Sequence, residues 1–344
     1  MDFDVAEPIK QAVHDAVSLG DFGYPNVSLG QPFSRFAAAR WGWKVDEARV
    51  HVSCDVMTGV AEMLAACTSP GAGVVINPPV YPPFFFRTSQ SGRHPVEVPL
   101  DGRSIDFERL ETALAREEVE AYLLCSPHNP LGRVWTRDEL TAVADMCFRH
   151  GVHLLVDEIH SPLVMSGAEF VPLLSLDHEM AERSVVFHSA SKGWNIPGAK
   201  CGMIVTGGEA LSELVEERSE ALFPSHLGVL ATEAALNEAE SWLDEVLLQL
   251  EANRAALAGL FGRELPGVSF VEPQASFLVW LDCRAHGGLL GDDPAAVFLE
   301  KGRVALSSGL GFGKEGIGHA RLNIGTSAEL LEEIVTRLGS VLRA

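Results

Sequence analysis

The sequence lacks a long apolar segment, since no stretch of about 18 apolar residues in its 344 residues could span a bilayer. Its first residues, MDFDVAEPIK, are acidic and lack the basic start and apolar run of a signal peptide. Cysteine is sparse: the six cysteines lie far apart and form no C-x-x-C pair, which excludes a disulfide framework and a zinc finger. We therefore predict a cytoplasmic protein with reduced thiols.

Positive charge is also scarce. Lys and Arg together number 26, against 47 Asp and Glu, so the formal net charge is −21 at pH 7. A chain this acidic repels phosphodiester backbones and anionic lipid, and we therefore expect neither nucleic acid nor a membrane surface as a partner. The hydrophobic fraction of 47% and the charged fraction of 21% are typical of a globular chain, and the length predicts about two domains.

Short apolar runs closed by turn-forming or acidic residues alternate with helical patterns. The runs are residues 74–76, 121–125, 153–156, 185–187 and 203–205. Fully apolar strands separated by helices predict a mostly parallel sheet with helices on both faces, which is a three-layer α/β/α fold. Ligand sites in such sheets lie beyond the carboxyl ends of the strands, so we expect the chemistry there.

The remaining patterns divide the chain into two predicted domains. Helices are predicted over residues 7–19, 30–43, 107–116, 136–149, 209–221 and 229–262. After them, a half-exposed strand over 269–283, a helix near 294–302, a strand at 321–325 and a last helix over 327–342 suggest a smaller α+β domain. We predict a large ligand-binding domain over 25–240 and a small domain made of 1–24 plus 241–344.

Three residues at predicted strand ends could carry chemistry. Lys192 lies in HSASKGWNIPGAK, and Asp157 and His160 lie in VDEIH. Taken alone, the lysine is typical of a polar surface loop and the aspartate of a helix cap. The spacing of S-x-x-K needs accompanying S-D-N and K-T-G elements, which are missing, and no further His or Cys at ligand spacing supports a metal site.

Four other motifs are weak when each is taken alone. CSPHNPLGR, residues 125–133, is a rigid turn, and Tyr81 in NPPVYPPF is typical of packing. Arg321 in HARLNIG could be a solvated charge. GFGKEG at 311–316 fits G-x-G-x-x-G but opens toward a strand, so it does not predict a dinucleotide site.

The motifs NPPVYPPF, SPHNPLGRVW, VDEIHSPLV, SASKGWNIPGAKCG and RLNIGTS are specific as an ordered set. Over essentially the whole chain, the sequence resembles the fold-type-I pyridoxal-phosphate enzymes of the class I/II aminotransferase superfamily. Within them it is most similar to the MalY/PatB group of cystathionine β-lyase-type C–S lyases. The resemblance implies pyridoxal 5′-phosphate as cofactor and the fold-type-I transferase fold, whose smaller α+β domain combines the C-terminal part with the N-terminal segment.

The resemblance also implies roles for residues around the cofactor ring. Lys192 would form the internal Schiff base and then move the Cα proton as a neutral amine, so its pKa must be lowered by its surroundings. Asp157 would pair with the protonated pyridine nitrogen and Tyr81 would stack on the ring. Asn129 would donate to the ring O3′, and His160 would lie near it.

Further roles concern the phosphate, the substrate and the neighbouring subunit. Arg321 resembles the residue that grips the substrate α-carboxylate as a bidentate fork. Tyr24 is expected to reach the phosphate of a neighbouring subunit, which implies a homodimer with shared active sites. The remaining phosphate ligands implied are Ser189, Ser191, Lys200 and the backbone N–H groups of Met57 and Thr58.

From this resemblance we predict β-elimination from cystathionine or another cysteine-S-conjugate, giving pyruvate, ammonia and a thiol. The alternative is a class I/II aminotransferase that passes an amino group from an L-amino acid to a 2-oxo acid, since both reactions share the Cα carbanion. A regulatory binding protein and a sugar aminotransferase are less well supported, because Lys192, Asp157 and Arg321 are intact.

Two departures from the family pattern stand out. Relatives carry some tens of residues before a similar acidic Met-Asp-Phe stretch, so we expect either an upstream extension or an altered substrate entrance. QASFL at 274–278 stands where a Gly-Thr-Tyr-Leu-like run is expected. That loop lies near the substrate side in the family, so it is expected to influence specificity.

Overall fold

The computed structural model describes residues 1–343 and contains two β-sheets packed among helices. The helices are α1 (Glu7–Leu19), α2 (Gly30–Trp41), α3 (Val56–Cys67), α4 (Pro83–Gln90), α5 (Phe107–Leu114), α6 (Arg137–His150), α7 (Ala190–Gly193), α8 (Glu209–Glu216), α9 (His226–Glu238), α10 (Glu240–Glu264), α11 (Gly287–Leu290), α12 (Pro294–Gly302) and α13 (Ala328–Arg343). The strands are β1 (Val50–Ser53), β2 (Gly73–Ile76), β3 (His94–Glu97), β4 (Val119–Cys125), β5 (His153–Asp157), β6 (Ser184–His188), β7 (Gly202–Thr206), β8 (Ser269–Phe270), β9 (Leu278–Asp282), β10 (Ser307–Ser308) and β11 (His319–Asn323).

The larger sheet has seven strands in the order β1-β7-β6-β5-β4-β2-β3 over residues 1–343. Strands β3, β2, β4, β5 and β6 are mutually parallel, whereas β7 is antiparallel to both of its neighbours. The predicted mostly parallel sheet is therefore confirmed, and the five apolar runs are its central strands. The edge strand β3 and the edge strand β1 contain polar residues, which is why apolar runs did not reveal them.

Alternate residues of the central strands pack on opposite faces of this sheet. In β4, Leu123 belongs to an apolar cluster with Met63 of α3, whereas Tyr122 and Leu124 belong to another cluster with Val143 of α6. Side chains of a strand alternate between faces, so a strand buried on both faces reads as a continuous apolar run. The two clusters make the three layers predicted from the sequence.

The carboxyl ends of the parallel strands meet at one edge of the sheet. Cys125 at the end of β4 pairs in register with Asp157 at the end of β5. Lys192 lies on α7, directly after β6, and α3 begins shortly after β1, which ends at the same edge opposite Gly202. This topology brings together residues that are more than 130 positions apart in sequence.

The smaller sheet is antiparallel, with four strands in the order β10-β11-β9-β8 within residues 1–343. Arg321 lies on the central strand β11, opposite Trp280 of β9 and Ser307 of β10. The division of the chain near residue 240 stays a prediction. Within residues 1–343, no helix has both the length and the apolar character that crossing a membrane requires.

The structure differs from two predicted elements. The predicted helix over 229–262 is two helices, because Ala239, with φ −115° and ψ 24°, separates α9 from α10. Trp194 donates its indole N–H to the Ala239 carbonyl at 2.9 Å and anchors this break.

The predicted strand over 269–283 is also divided, into β8 and β9, by residues 271–277, which we call the Ser276 loop. Gln274 and Ala275 donate their N–H groups to the Gly132 carbonyl at 2.8 and 3.1 Å, and Ser276 donates to Leu163 at 2.9 Å. The loop therefore bonds mainly to the segments that follow β4 and β5, although Phe277 accepts the Ile324 N–H at 2.8 Å and so continues the pairing of β9 with β11. Gly132 has φ +59°, and a Cβ there would lie 2.7 Å from the Ala275 carbonyl oxygen.

Candidate active site

A cavity of about 460 Å³ opens where the strand ends converge. Eight of the twelve residues predicted from the sequence line it: Met57, Tyr81, Asn129, Asp157, His160, Ser191, Lys192 and Arg321. We call Asp157, His160, Lys192 and Arg321 the floor of the cavity, and we call Pro83, Phe86 and Arg87 of α4 its mouth. These eight predicted residues therefore share one cavity, although they come from both sheets, and the other four do not line it.

Asp157 is a buried acid and Lys192 is a partly buried amine, and their pKa values move toward each other. Asp157 is 2% exposed, and burial raises its pKa to about 7, although the Ile159 N–H and Lys192 act in the opposite direction. Burial lowers the pKa of the Lys192 amine, Arg321 lowers it further, and Asp157 raises it. Burial disfavours the charged form of each group, so the carboxyl group loses its proton less readily than in water and the amine gains one less readily.

The Asp157 carboxylate has capacity for another hydrogen bond. Within residues 1–343 it accepts one, from the Ile159 N–H to Oδ1 at 3.1 Å. A carboxylate can accept about four, and this one faces the cavity. A cationic N–H group in the cavity would therefore fit Asp157.

Arg321 is held by hydrogen bonds that orient its guanidinium. Nη1 donates to Asn129 Oδ1 at 2.9 Å, Nη2 donates to Ser307 Oγ at 3.1 Å, and the guanidinium carbon lies 5.0 Å from the Phe312 ring centroid. Nε is buried and has no partner within residues 1–343. Because Asn129 uses its amide oxygen for Arg321, its NH₂ group remains available to a ligand in the cavity.

His160 is a neutral imidazole held by a serine that the sequence analysis did not select. Burial, with Lys192 and Arg321 acting in the same direction, lowers the pKa of His160 to about 3. Its Nδ1 lies 3.0 Å from Ser276 Oγ, and Ser276 is 2% exposed with φ +73°. A non-glycine residue with positive φ stores strain, and such strain is concentrated at functional sites. Ser276 thus fixes the orientation of the His160 ring.

Tyr81 and Cys125 line the cavity as neutral groups. Burial raises the pKa of the Tyr81 phenol, and the Asp157 charge raises it further. Burial also raises the pKa of the Cys125 thiol well above its usual range, again with Asp157 acting in the same direction. Neither side chain is therefore ionised near neutral pH.

The phosphate ligands predicted from the sequence occupy a different arrangement from the one expected. Asp55 caps α3, accepts the Thr58 N–H at 2.7 Å and forms an ion pair with Lys200, and these contacts lower its pKa despite burial. The Thr58 N–H, predicted as a phosphate ligand, is therefore already bonded to Asp55. The N–H groups of Val56 and Met57 at the start of α3 have no acceptor within residues 1–343.

Three predicted residues other than Thr58 do not line the cavity. Ser189 is buried, with Oγ 2.7 Å from the Cys201 carbonyl oxygen and 2.9 Å from Ser191 Oγ, and it caps α7 by accepting the Ser191 N–H. Lys200 is exposed beside Asp55. Tyr24 is 87% exposed and lies edge-on to Phe223, with ring centroids 5.5 Å apart.

Several cavity residues were missed by the sequence analysis: Asp55, Pro83, Phe86, Arg87, Cys125 and Phe277. One signal was available for Phe277, because it belongs to the QASFL run that departs from the family pattern. Asp55 lies directly before the VMTG turn selected for phosphate binding, where an acid is a common helix cap. Nothing in the sequence singled out Arg87.

The chain matches the family described as aminotransferase class I and II over residues 6–338. It is 36% identical to the cystathionine β-lyase PatB of Bacillus subtilis, covering 99% of this chain and 90% of that protein. It is 32% identical to the protein MalY of Escherichia coli, covering 100% of this chain and 90% of that protein. The pyridoxal-phosphate-bound C–S lyase of Staphylococcus hominis superposes with a TM-score of 0.94 at 25% identity, covering 100% of this chain and 90% of the other.

Proposed function

We propose, from the premise that this chain belongs to the aminotransferase class I and II family and to its MalY/PatB-type group, that it is a carbon–sulfur β-lyase using pyridoxal 5′-phosphate. It acts on cystathionine or another cysteine-S-conjugate and, with water, gives pyruvate, ammonia and a thiol. The observation that carries the proposal is that Lys192 and Asp157 line one cavity with their pKa values shifted toward neutrality.

The cavity offers hydrogen-bonding groups that suit the ring and the phosphate of this cofactor. Asp157 has acceptor capacity for the ring N–H, and Asn129 has a free amide NH₂ for the ring oxygen. The unpaired N–H groups at the start of α3, together with Ser191, suit a phosphate at a helix N-terminus. We assign Tyr81 to the ring face and His160 to the neighbourhood of O3′.

Pyridoxal phosphate, when bound, supplies an aldehyde for attachment to an amine and a ring that takes up the electron pair left on the substrate Cα. Lys192 Nζ would hold the aldehyde when no substrate is present, and as a free amine it would take the proton from Cα. It could do so because burial and Arg321 favour its neutral form. Asp157 would hold the ring nitrogen proton, and the carboxylate's charge would keep that nitrogen cationic.

Arg321 binds the substrate α-carboxylate. Its buried Nε has no partner within residues 1–343, while Asn129 and Ser307 fix the guanidinium plane. Two parallel N–H donors match the two oxygens of a carboxylate, and this geometry orients Cα toward Lys192. Arg321 is partly buried, and the lower dielectric constant of such surroundings strengthens these interactions relative to water.

A homodimer completes the proposal, because Tyr24 does not reach the cavity of its own chain. Its exposed phenol and the neighbouring Phe223 could approach the cavity of a second copy, where Tyr24 would meet the phosphate. The cytoplasmic location likewise stays a prediction.

The aminotransferase alternative is not favoured, since PatB and the Staphylococcus hominis protein are described as lyases. In the deciding experiment, the enzyme loaded with pyridoxal phosphate (the loaded enzyme) receives L-cystathionine without any 2-oxo acid, and pyruvate and free thiol are measured. We expect steady release of both in equal amounts. Turnover that occurs only when a 2-oxo acid is added would contradict the lyase proposal and support the aminotransferase.

A further inference from the structure

One face of α4 forms the mouth of the cavity. Pro83, Phe86 and Arg87 all line it, and their spacing of three and four residues places them side by side on a helix. The helix begins shortly after Tyr81, which lines the same cavity. The cation on α4 therefore lies in the same cavity as the floor and not on a separate surface.

Arg87 has no anionic partner within residues 1–343. Its Nη1 donates to Gln90 Oε1 at 3.2 Å, and its guanidinium carbon lies 5.9 Å from the Phe86 ring centroid. Guanidinium has five N–H donors, so four remain free in the structure. By contrast, Asp55, the acid that lines the cavity on the phosphate side, is already paired with Lys200.

The other cations of the cavity have roles in the proposed reaction. Lys192 acts on the cofactor and Cα, and Arg321 binds the α-carboxylate, which leaves Arg87 as a third cation with no assigned ligand. Phe86 and Phe277, which line the same cavity, are aromatic and suit the methylene groups of a sulfur substituent. In a chain of net charge −21, a local cation is needed to hold an anionic group.

We propose that Arg87 binds a carboxylate at the far end of the substrate's sulfur substituent, so that the preferred substrates are cysteine-S-conjugates with an acidic substituent. This inference rests on the proposed lyase function and names the substrate class of the same site. The α-carboxylate at Arg321 and the distal carboxylate at Arg87 then fix both ends of the substrate. Arg87 is a specificity-determining residue and takes no part in the bond-breaking step.

The test uses two conjugates that differ only in distal charge. S-(3-carboxypropyl)-L-cysteine carries the acid, and S-(3-carbamoylpropyl)-L-cysteine is its neutral amide of nearly the same shape. The measured quantity is the ratio of kcat/KM for the acid to kcat/KM for the amide, obtained with the loaded enzyme. We expect the wild-type ratio to exceed one by about tenfold, as a charge-assisted hydrogen bond to carboxylate allows.

Three variants distinguish a specific effect of Arg87 on the ratio from the effect of removing any positive charge from the protein. Arg87→Met should lower the ratio about tenfold, mainly through the KM of the acid, and Arg87→Lys should keep part of the preference because the charge remains. Arg109→Met removes one positive charge at an exposed position of α5 that does not line the cavity, and it should leave the ratio at its wild-type value.

The outcomes separate this inference from the proposed function. A ratio that is near one in the wild type, or that Arg87→Met and Arg109→Met change equally, would overturn the role of Arg87 while turnover of the amide keeps the lyase proposal intact. Absence of pyruvate from both conjugates and from cystathionine would contradict the lyase proposal itself.

Discussion

On the floor of the cavity, Asp157 ends one buried strand of the larger sheet and Lys192 follows another. At the mouth, Phe86 and Arg87 lie on a partly exposed helix. Asp157 is 2% exposed and Phe86 is 58% exposed. The floor side chains are held in a surrounding that shifts their pKa values, and the Arg87 guanidinium bonds only to Gln90 within residues 1–343. This difference suggests that the floor determines the reaction and the mouth selects the substrate.

The largest expected effect comes from removing the amine on the floor. Lys192→Ala should lower turnover of cystathionine by at least about 10³-fold, since proton transfer by a positioned group contributes up to about 10⁴-fold. Pyruvate release measures it, and borohydride reduction of the loaded wild type should fix the cofactor on the peptide that contains Lys192. Lys301→Ala, at an exposed position of α12, is the control and should keep wild-type turnover. Retained activity in Lys192→Ala would assign the chemistry to another lysine.

The second prediction concerns the stability of the cofactor-free protein. The folded pKa of Asp157 is raised from 3.8 to about 7, so the folded chain binds this proton more tightly than the unfolded chain between those values. The contribution of Asp157 to the free energy of unfolding should therefore fall as the pH rises from about 4 to 7, by about 1.4 kcal/mol per pH unit.

Asp157→Asn isolates this contribution, because it keeps the shape and removes the titrating group. His160 acts in the opposite direction: its folded pKa is lowered to about 3, so its contribution is lost as the pH falls from about 6.5 to 3. Denaturant unfolding of wild type and Asp157→Asn at a series of pH values cancels the His160 contribution in the difference. A difference that does not change with pH would mean that Asp157 is not a buried acid in the folded chain.

Arg321 belongs to the floor but comes from the smaller sheet, so it tests whether the two sheets share one site. Arg321→Ala should raise the KM for the amino acid by about ten- to a hundredfold, with a smaller change in kcat, because uniform binding of the α-carboxylate is lost. Arg321→Lys should recover part of this loss, since it keeps the charge and loses the planar fork. An unchanged KM in the alanine variant would remove Arg321 from substrate binding.

The sequence predicted the floor better than the mouth for a physical reason. Asp157 directly follows the apolar run 153–156 of β5, Lys192 comes shortly after the apolar run of β6, and parallel strands must bring their carboxyl ends to one edge. Arg87 follows no such rule, because a charged residue on a short helix is compatible with any solvated surface. The Ser276 loop was missed as a loop because its alternating apolar residues match a strand, whereas its N–H groups bond to Gly132 and Leu163, far away in sequence.

The smallest expected effect tests the link between that loop and the floor. Ser276→Gly accepts φ +73° without strain and removes the hydroxyl that holds His160 Nδ1. We expect a loss of a few-fold in kcat/KM and a shifted pH dependence of the bound cofactor's absorbance, because an imidazole that can turn no longer presents one fixed nitrogen to the cavity.

Two further substitutions separate the hydroxyl from the backbone at this position. Ser276→Ala removes the same hydroxyl but keeps a Cβ at positive φ, so it should be less stable than Ser276→Gly by about 1 kcal/mol while showing the same absorbance shift. Ser276→Asn tolerates the left-handed backbone and offers a hydrogen-bonding amide, so it should recover part of the wild-type pH dependence. If all three variants changed stability without shifting the pH dependence of the absorbance, Ser276 would stabilise only the Ser276 loop. The positions of the floor side chains would then be determined by the strand ends of the larger sheet.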